Sequence, residues 1–179
     1  MRIIYPIIAI MFVWSFSACK SKNSTDITTS NPTQIKMLED SLLSNPIGEN
    51  YNAKAPILAS EMLKFAENHP KDTLAPIYLF KAGDLYRGLG RFRESLQSWQ
   101  TICDKYPDYK RAPDALFLQA FTIENELKDY EKAKSLYNEF LKKYPTHSFA
   151  ATIPSILKNM GKSPDELIKS FKTQDSTQH

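Results

Sequence analysis

Few residues in this 179-residue chain have the type and spacing that catalysis requires. Gly161-Lys162-Ser163 matches the end of a phosphate-binding loop, but Ile156 stands where that motif needs its first glycine. We therefore interpret this tripeptide as part of a helix cap. Glu124 and Glu126 are only two positions apart, and residues at that spacing do not face each other on a helix. No Gly-x-Ser-x-Gly sequence is present, so a nucleophile elbow of that kind is not expected.

The imidazole and thiol side chains are scattered. His69 and His147 each follow a predicted helix and His179 ends the chain, so no two have the spacing of zinc ligands. We interpret the first two as helix C-terminal residues, where the helix dipole favours positive charge. Cys103 has no base near it in sequence, and its helical spacing predicts a small apolar core residue; the alternative is a reactive thiol. We therefore expect no metal, no cofactor and no enzyme, since an enzyme would need a site assembled wholly by tertiary contacts.

The charge of the chain is nearly balanced. It has 23 Lys and Arg against 20 Asp and Glu, a formal charge of +3, and no basic cluster with interleaved aromatic residues. Electrostatic capture of nucleic acid needs a basic stripe. We therefore expect neither nucleic acid nor a small-molecule substrate as a partner.

The N-terminus has the pattern of an export signal. Arg2 precedes an apolar run of 14 residues at positions 3–16, which is shorter than the ~20 residues that a membrane-spanning helix needs. The small pair Ser17-Ala18 follows the run, as cleavage by a signal peptidase requires. We predict a signal peptide at residues 1–18.

Phe16-Ser17-Ala18-Cys19 resembles a bacterial lipobox, although that family prefers Leu where Phe16 stands. The resemblance implies that Cys19 carries diacylglycerol and palmitate-type acyl chains, which would anchor the mature chain to a membrane. The alternative is an ordinary secretory signal followed by a coincidental cysteine. With Cys19 acylated, Cys103 is left without a partner for an intramolecular disulfide.

Two polar segments flank a helical region. Residues 19–33 are polar and not periodic, so we predict a flexible tether there. Residues 172–179 are also polar, and we expect a disordered tail. Between these segments, apolar residues recur at three- and four-residue steps, the period of half-buried helices.

The helical region is repetitive. Two units, residues 76–109 and 114–147, align without gaps at a spacing of 38. Each unit holds two amphipathic stretches, joined by a turn at Leu89-Gly90-Arg91 or Leu127-Lys128-Asp129, and each ends in Tyr-Pro. Residues 55–69 read as the second helix of an incomplete leading unit. Residues 149–171 read as a degenerate third unit, in which Ser163 and Glu166 form a capping box. Such units stabilise one another only by stacking. We therefore predict an all-α solenoid of about two and a half to three antiparallel helix pairs over residues 34–171.

The two units resemble the tetratricopeptide repeat (TPR), a helix–turn–helix motif of ~34 residues. The matching positions in the first unit are Leu79, Ala82, Gly83, Tyr86, Gly90, Phe92, Ser95, Trp99, Ile102 and Pro107. Those in the second unit are Phe117, Ala120, Tyr130, Ala133, Tyr137 and Pro145. Phe121 and Glu124 depart from the family pattern, where a small residue and an aromatic are usual. We expect Ala82 and Gly83 to let the paired helix approach closely, with Trp99 filling the space from the other side.

The TPR resemblance implies a concave groove, lined by the first helix of each unit, that holds a peptide or a partner helix. Carried over by position, the protein-binding groove would contain Ile77, Phe80, Lys81, Asp84 and Arg87 in the first unit and Ala115, Leu118, Gln119, Thr122, Asn125 and Glu126 in the second. We expect these residues to lie on one continuous surface. The alternative is that the apolar members pack between units and the charged members form a solvated face.

The repeats and the lipobox together resemble periplasmic TPR lipoproteins of the outer-membrane assembly and Tol-Pal groups. That resemblance implies a protein-binding adaptor in the bacterial cell envelope, held by its lipid on the outer membrane and facing the periplasm. Its partners would be other envelope proteins or peptides. The alternative is a transport or secretion accessory that binds an exported substrate transiently in the same groove.

Overall fold

The computed structural model describes residues 30–44 and 48–175, and only the backbone of residues 170–175. Within these ranges the chain is helical and contains no strand. The helices are α1 (Pro32–Leu43), α2 (Glu49–Asn68), α3 (Leu74–Gly88), α4 (Phe92–Lys105), α5 (Ala112–Thr122), α6 (Tyr130–Lys143), α7 (Ile153–Asn159) and α8 (Pro164–Asp175). A π-helical segment, Ile123–Leu127, extends α5, and a 3₁₀ turn, Ser148–Ala151, precedes α7. None of the described helices is long and apolar enough to span a bilayer.

Consecutive helices pack against each other from α1 to α7, as in an α-solenoid. The prediction of an all-α helical repeat is confirmed. The pairs α3/α4 and α5/α6 correspond to the two aligned units. The leading unit is more complete than residues 55–69 suggested, because α2 begins at Glu49 and pairs with α1. The Asn31 side chain caps α1 by accepting from the amides of Thr33 and Gln34.

The ends of the helical region differ slightly from the predicted boundaries. Helix α1 begins at Pro32, inside the segment predicted as tether. Helix α8 continues to Asp175, beyond the predicted start of the tail at Lys172. The predicted signal peptide, Cys19, most of the tether and residues 176–179 lie outside the described residues.

Aromatic side chains at equivalent positions fill the core of each unit. Trp99 and Tyr137, 38 positions apart, are both fully buried. Gly83 gives Trp99 its space: a Cβ on Gly83 would lie only 2.7 Å from Trp99 Cδ1. The expectation that a small residue on the first helix admits the large one on the second is therefore confirmed.

Caps and turns stop the helices where the sequence indicated. The capping box of α8 is confirmed, since the Ser163 amide donates to Glu166 Oε2 (2.7 Å) and the Glu166 amide donates to Ser163 Oγ (3.3 Å). The turns inside the two units each contain a residue with positive φ at the same position. Gly90 has φ +71° and Lys128, at the equivalent position, has φ +57°.

Candidate functional site

The first helices of successive pairs form one surface, here called the first-helix surface, made by α1, α3, α5 with its π-helical extension, and α7. Lys81 Nζ on α3 lies 2.6 Å from Glu39 Oε1 on α1. Arg87, near the end of α3, lies over the Phe121 ring of α5 at 5.4 Å. These contacts join neighbouring first helices side by side, so the surface continues from pair to pair.

The predicted groove residues divide by exposure. Lys81, Asp84, Asn125 and Glu126 are exposed, and Ile77, Arg87 and Leu118 are half-buried. Four others, Phe80, Ala115, Gln119 and Thr122, are buried. The expectation that all of them lie at the surface is therefore wrong for these four.

The physical reason is the packing of each first helix against its neighbours. The Phe80 ring lies beside Trp99, with 6.4 Å between centroids, and the Arg111 guanidinium lies over the Phe80 ring at 3.5 Å from its centroid. Gln119 Nε2 donates to Cys103 Sγ at 3.4 Å, which holds the amide inside. These buried residues pack beneath the first-helix surface, and the exposed residues next to them form the surface itself.

Cys103 is partly buried between α4 and α5, and burial raises its pKa to about 11. A thiol with this pKa is protonated at neutral pH and is a poor nucleophile. This supports the prediction of a packing residue over a reactive thiol.

Charged residues on the first-helix surface are mostly paired. The ion pairs across it are Lys81–Glu39 (2.6 Å), Arg87–Glu126 (4.0 Å) and Arg111–Asp114 (2.9 Å). Asp84 is different, because its carboxylate has no hydrogen bond or ion pair within the described residues. The pKa of Asp84 is raised, because desolvation by the surrounding protein outweighs the fields of Arg111 and Arg87, which lower it. Although exposed, the carboxylate thus lies where protein displaces much of the surrounding water.

The two histidines within the described part have different positions. His69 is the C-cap residue of α2, as expected. The interpretation of His147 as a helix C-terminal residue is wrong, because Nδ1 accepts from the Phe149 amide at 3.3 Å and thereby caps the next turn. Its Nε2 lies 3.5 Å from Asp114 Oδ1, across the junction between neighbouring pairs.

Two cavities open on the first-helix surface. The larger, about 370 Å³, lies between α1, α2 and α3. Its apolar lining is Leu42, Leu43, Leu58, Met62 and Leu85, and its polar rim is Glu39, Lys81 and Asp84. We call it the α1–α3 cavity. The second, about 270 Å³, lies where Phe121 and Asn125 face Ser155 and Ile156 of α7.

The π-helical segment lies beside the second cavity. Glu124, at a position where the family has an aromatic residue, accepts a 2.8 Å hydrogen bond from the Tyr137 hydroxyl. Burial and then this hydrogen bond raise the pKa of Tyr137, so the phenol stays neutral and donates. The pair replaces an aromatic contact with a polar one at the end of α5.

Sequence reasoning missed several residues of this surface. Arg111, Asp114 and His147 lie at or beside the connections between units, outside the family's groove positions. Leu43 and Glu39 belong to α1, a helix for which no repeat pattern is visible. The amphipathic spacing of α1 was the one signal that could have indicated them. In the described part of the chain, no group of three or more His, Cys, Asp or Glu is placed to hold a metal ion.

The family model of the tetratricopeptide repeat matches residues 78–109 and 114–147. These ranges contain nearly all of α3/α4 and α5/α6, the same two pairs that carry the regular spacing. No curated protein and no solved structure matches the chain. The two central helix pairs of this all-α helical repeat are therefore similar to tetratricopeptide repeats.

Proposed function

We propose that this protein is a lipid-anchored adaptor of the bacterial cell envelope. It binds other envelope proteins or peptides through its first-helix surface. The observation that carries the proposal is the continuity of that surface across α1, α3, α5 and α7, with two cavities opening on it. Tetratricopeptide repeats are protein-interaction modules, and the match to them supports protein binding. The adaptor acts by binding alone and not as an enzyme.

The composition of the surface also supports a docking role. Apolar cavities bordered by charged residues resemble the centre and rim of a protein interface, where a few buried anchors supply most of the affinity. The exposed residues Lys81, Asp84 and Asn125 border the two cavities. A partner can therefore insert apolar side chains and still satisfy polar groups at the rim.

The membrane part of the proposal rests on the lipobox-like sequence that ends at Cys19. A diacylglycerol with a further acyl chain would hold the stack at a membrane surface stably, where a single chain binds only marginally. We propose that the anchor lies in the outer membrane and faces the periplasm. Some bacteria use an acidic run after the lipidated cysteine for export to the cell surface, but here Lys20 follows Cys19 and only Asp26 is acidic nearby.

The test blocks the second cavity without disturbing the core. Asn125 and Ser155 are both exposed and line that cavity from α5's extension and from α7. Replacing both by Arg adds bulk and charge to the first-helix surface. The matched control replaces Asn138 and Ser135, two exposed residues of α6, by Arg as well. Both variants should keep the circular dichroism spectrum and thermal midpoint of the wild type.

The measurement is in-cell crosslinking followed by purification from solubilised envelope. We expect defined envelope proteins to crosslink to the wild type and to the α6 control, and to be lost from the Asn125→Arg/Ser155→Arg variant. Equal recovery with both variants would place docking away from the second cavity. Recovery that also survives Leu43→Arg, at the mouth of the α1–α3 cavity, would overturn the proposed surface. Weak recovery of many exported proteins, in place of a defined set, would instead favour the transport accessory.

A further inference from the structure

The α1–α3 cavity combines an apolar interior with the Asp84 carboxylate, which forms no hydrogen bond or ion pair with the part of the chain that the structure describes. Leu43 is 74% exposed at its mouth, an unusual exposure for a large apolar residue that borders a cavity. The cavity of about 370 Å³ is within the range of about 300–1,000 Å³ that is typical of ligand pockets. It is large enough for one bulky side chain of a partner.

The charged residues at the rim of the cavity indicate the charge of the expected ligand. Lys81 and Glu39 already neutralise each other across the cavity, and they hold α1 against α3. Arg111 and Arg87 also have acidic partners of their own. Asp84 therefore leaves one negative charge at the rim that no described side chain pairs with.

We propose that the α1–α3 cavity is a docking site for a protein segment that presents a large apolar side chain next to a Lys or Arg. The apolar side chain enters among Leu42, Leu58 and Met62, and the neighbouring cation pairs with Asp84 at the rim. This inference deepens the proposed adaptor function and rests on it. It assigns a recognition chemistry to a region that includes α1, which lies outside the two matched repeats.

The geometry also explains why a cation would be preferred over a neutral group. The Asp84 carboxylate is exposed at the rim of the cavity, so a cation of a partner can reach it and form an ion pair there. An acidic segment would meet Asp84 and the paired Glu39 and would be repelled. Binding should therefore weaken as salt concentration rises, because this rim remains accessible to ions.

The probe is a set of short fluorescein-labelled peptides with a common Gly-Ser background, each containing Phe-Arg, Phe-Glu or Ala-Arg at its centre. Binding is measured by fluorescence anisotropy with the full chain held in detergent micelles. We expect Phe-Arg to bind most tightly, Ala-Arg to lose the apolar anchor, and Phe-Glu to bind least. Equal binding of all three peptides would overturn the proposal.

Two substitutions test the two halves of the site. Asp84→Asn should weaken binding of the Phe-Arg peptide on the order of fivefold, as removal of an exposed ion pair implies. The difference in affinity between the Phe-Arg peptide and the other two peptides should therefore become smaller. The matched control is Asp108→Asn, an exposed acid outside the cavity that changes the net charge equally. Leu43→Ser should also weaken binding, whereas Met37→Ser, at a similarly exposed residue of the same helix, should not.

The outcomes separate this inference from the proposed function. If the crosslinked envelope partners of the wild type are retained by Asp84→Asn and Leu43→Ser, and the peptides show no preference, the cavity proposal fails while the adaptor remains. If no envelope partner crosslinks to the wild type, the adaptor function fails even where the peptides bind. If Leu43→Ser loses its helical circular dichroism spectrum, its weaker binding does not count. The test then rests on Asp84→Asn, which changes only an exposed carboxylate.

Discussion

At the scale of single residues, Lys128 has the most unusual backbone in the described part of the chain. It is the one described residue other than glycine with positive φ, at +57°. Gly90, at the equivalent position of the preceding unit, also has positive φ, and a Cβ added there would meet no atom within 4 Å. Lys128 therefore bears a conformational cost that Gly90 avoids.

Lys128→Gly should stabilise the fold by about 1 kcal/mol, because glycine adopts this conformation without the clash of a Cβ. Gly90→Ala should destabilise it by a similar amount, about 1 kcal/mol, since only the backbone is strained there. Urea unfolding of both variants measures these differences. A loss of stability in Lys128→Gly would mean that the Lys128 side chain makes a contact outweighing the strain.

A second prediction at this scale concerns Cys103. Burial raises its pKa to about 11 from a reference of 9.0, so the folded protein should hold roughly 100-fold less thiolate than the unfolded chain near pH 8. In a Cys19→Ser chain, reaction with iodoacetamide should therefore be on the order of 100-fold slower before than after denaturation. It should accelerate as pH rises toward 11. A native rate close to the denatured one would contradict the burial of this thiol.

Residue roles were predictable from the sequence where a residue and its main contact belong to the same unit. Trp99 was expected to point inward and is fully buried against Gly83. Phe80 was expected at the surface, but the next unit's Arg111 covers it. Spacing within one unit gives the direction of a side chain and cannot show which neighbouring side chain covers it.

At the scale of elements, the approach of α3 to α4 depends on Gly83. With Trp99 against this glycine, the two helix backbones can come together while the indole stays buried. The next unit differs, because Phe121 stands at the position equivalent to Gly83, although Ala120 and Tyr137 are both buried there. In the α3/α4 pair, the contact between the small Gly83 and the large Trp99 thus sets how closely the two helices approach.

Gly83→Ala should destabilise the protein by about 1–3 kcal/mol, because the added methyl group overlaps the indole. Trp99→Ala should cost about 3–5 kcal/mol through loss of a large buried side chain. The double variant should cost less than the sum of the two, because alanine at residue 99 leaves room for the methyl group of Ala at residue 83. Chemical denaturation of all three variants gives the coupling. Strict additivity would show that the two positions do not contact each other.

The end of α5 could not be predicted in the same way. Glu124 departs from the family's aromatic position, and this departure indicated only a change in packing. The structure shows a π-helical segment at Ile123–Leu127 and a hydrogen bond from Tyr137 to Glu124. The π-helical segment has only five residues and the two units align without a gap, so the spacing of apolar residues did not reveal it.

At the scale of the whole molecule, the repeat pattern predicted the stack better than its ends. The two central pairs have the regular spacing of 38 and the matching core aromatics. Helices α1 and α7 lack that spacing, because an outer helix packs against a neighbour on one side only and needs fewer specific residues. Both cavities of the first-helix surface involve these irregular helices, which is why the sequence indicated the surface but not its openings.

The anchoring of the whole molecule gives the last prediction. If Cys19 is acylated, Cys19→Ser should abolish labelling by a palmitate analogue and either release the protein from membranes or leave it as an uncleaved precursor. The physical reason is that the acyl chains supply the membrane affinity, and the predicted signal peptide is too short to span stably. The matched control is Cys103→Ser, which changes the other thiol and should keep both the label and the membrane fraction. Labelling, size on a gel and fractionation of the full chain in a bacterial host measure all three properties. A Cys19→Ser product that is mature-sized and still membrane-bound would contradict the lipid anchor and the proposed location at the envelope. Protein binding through the first-helix surface would then have to be tested for a chain that is held at the membrane by contacts other than a lipid.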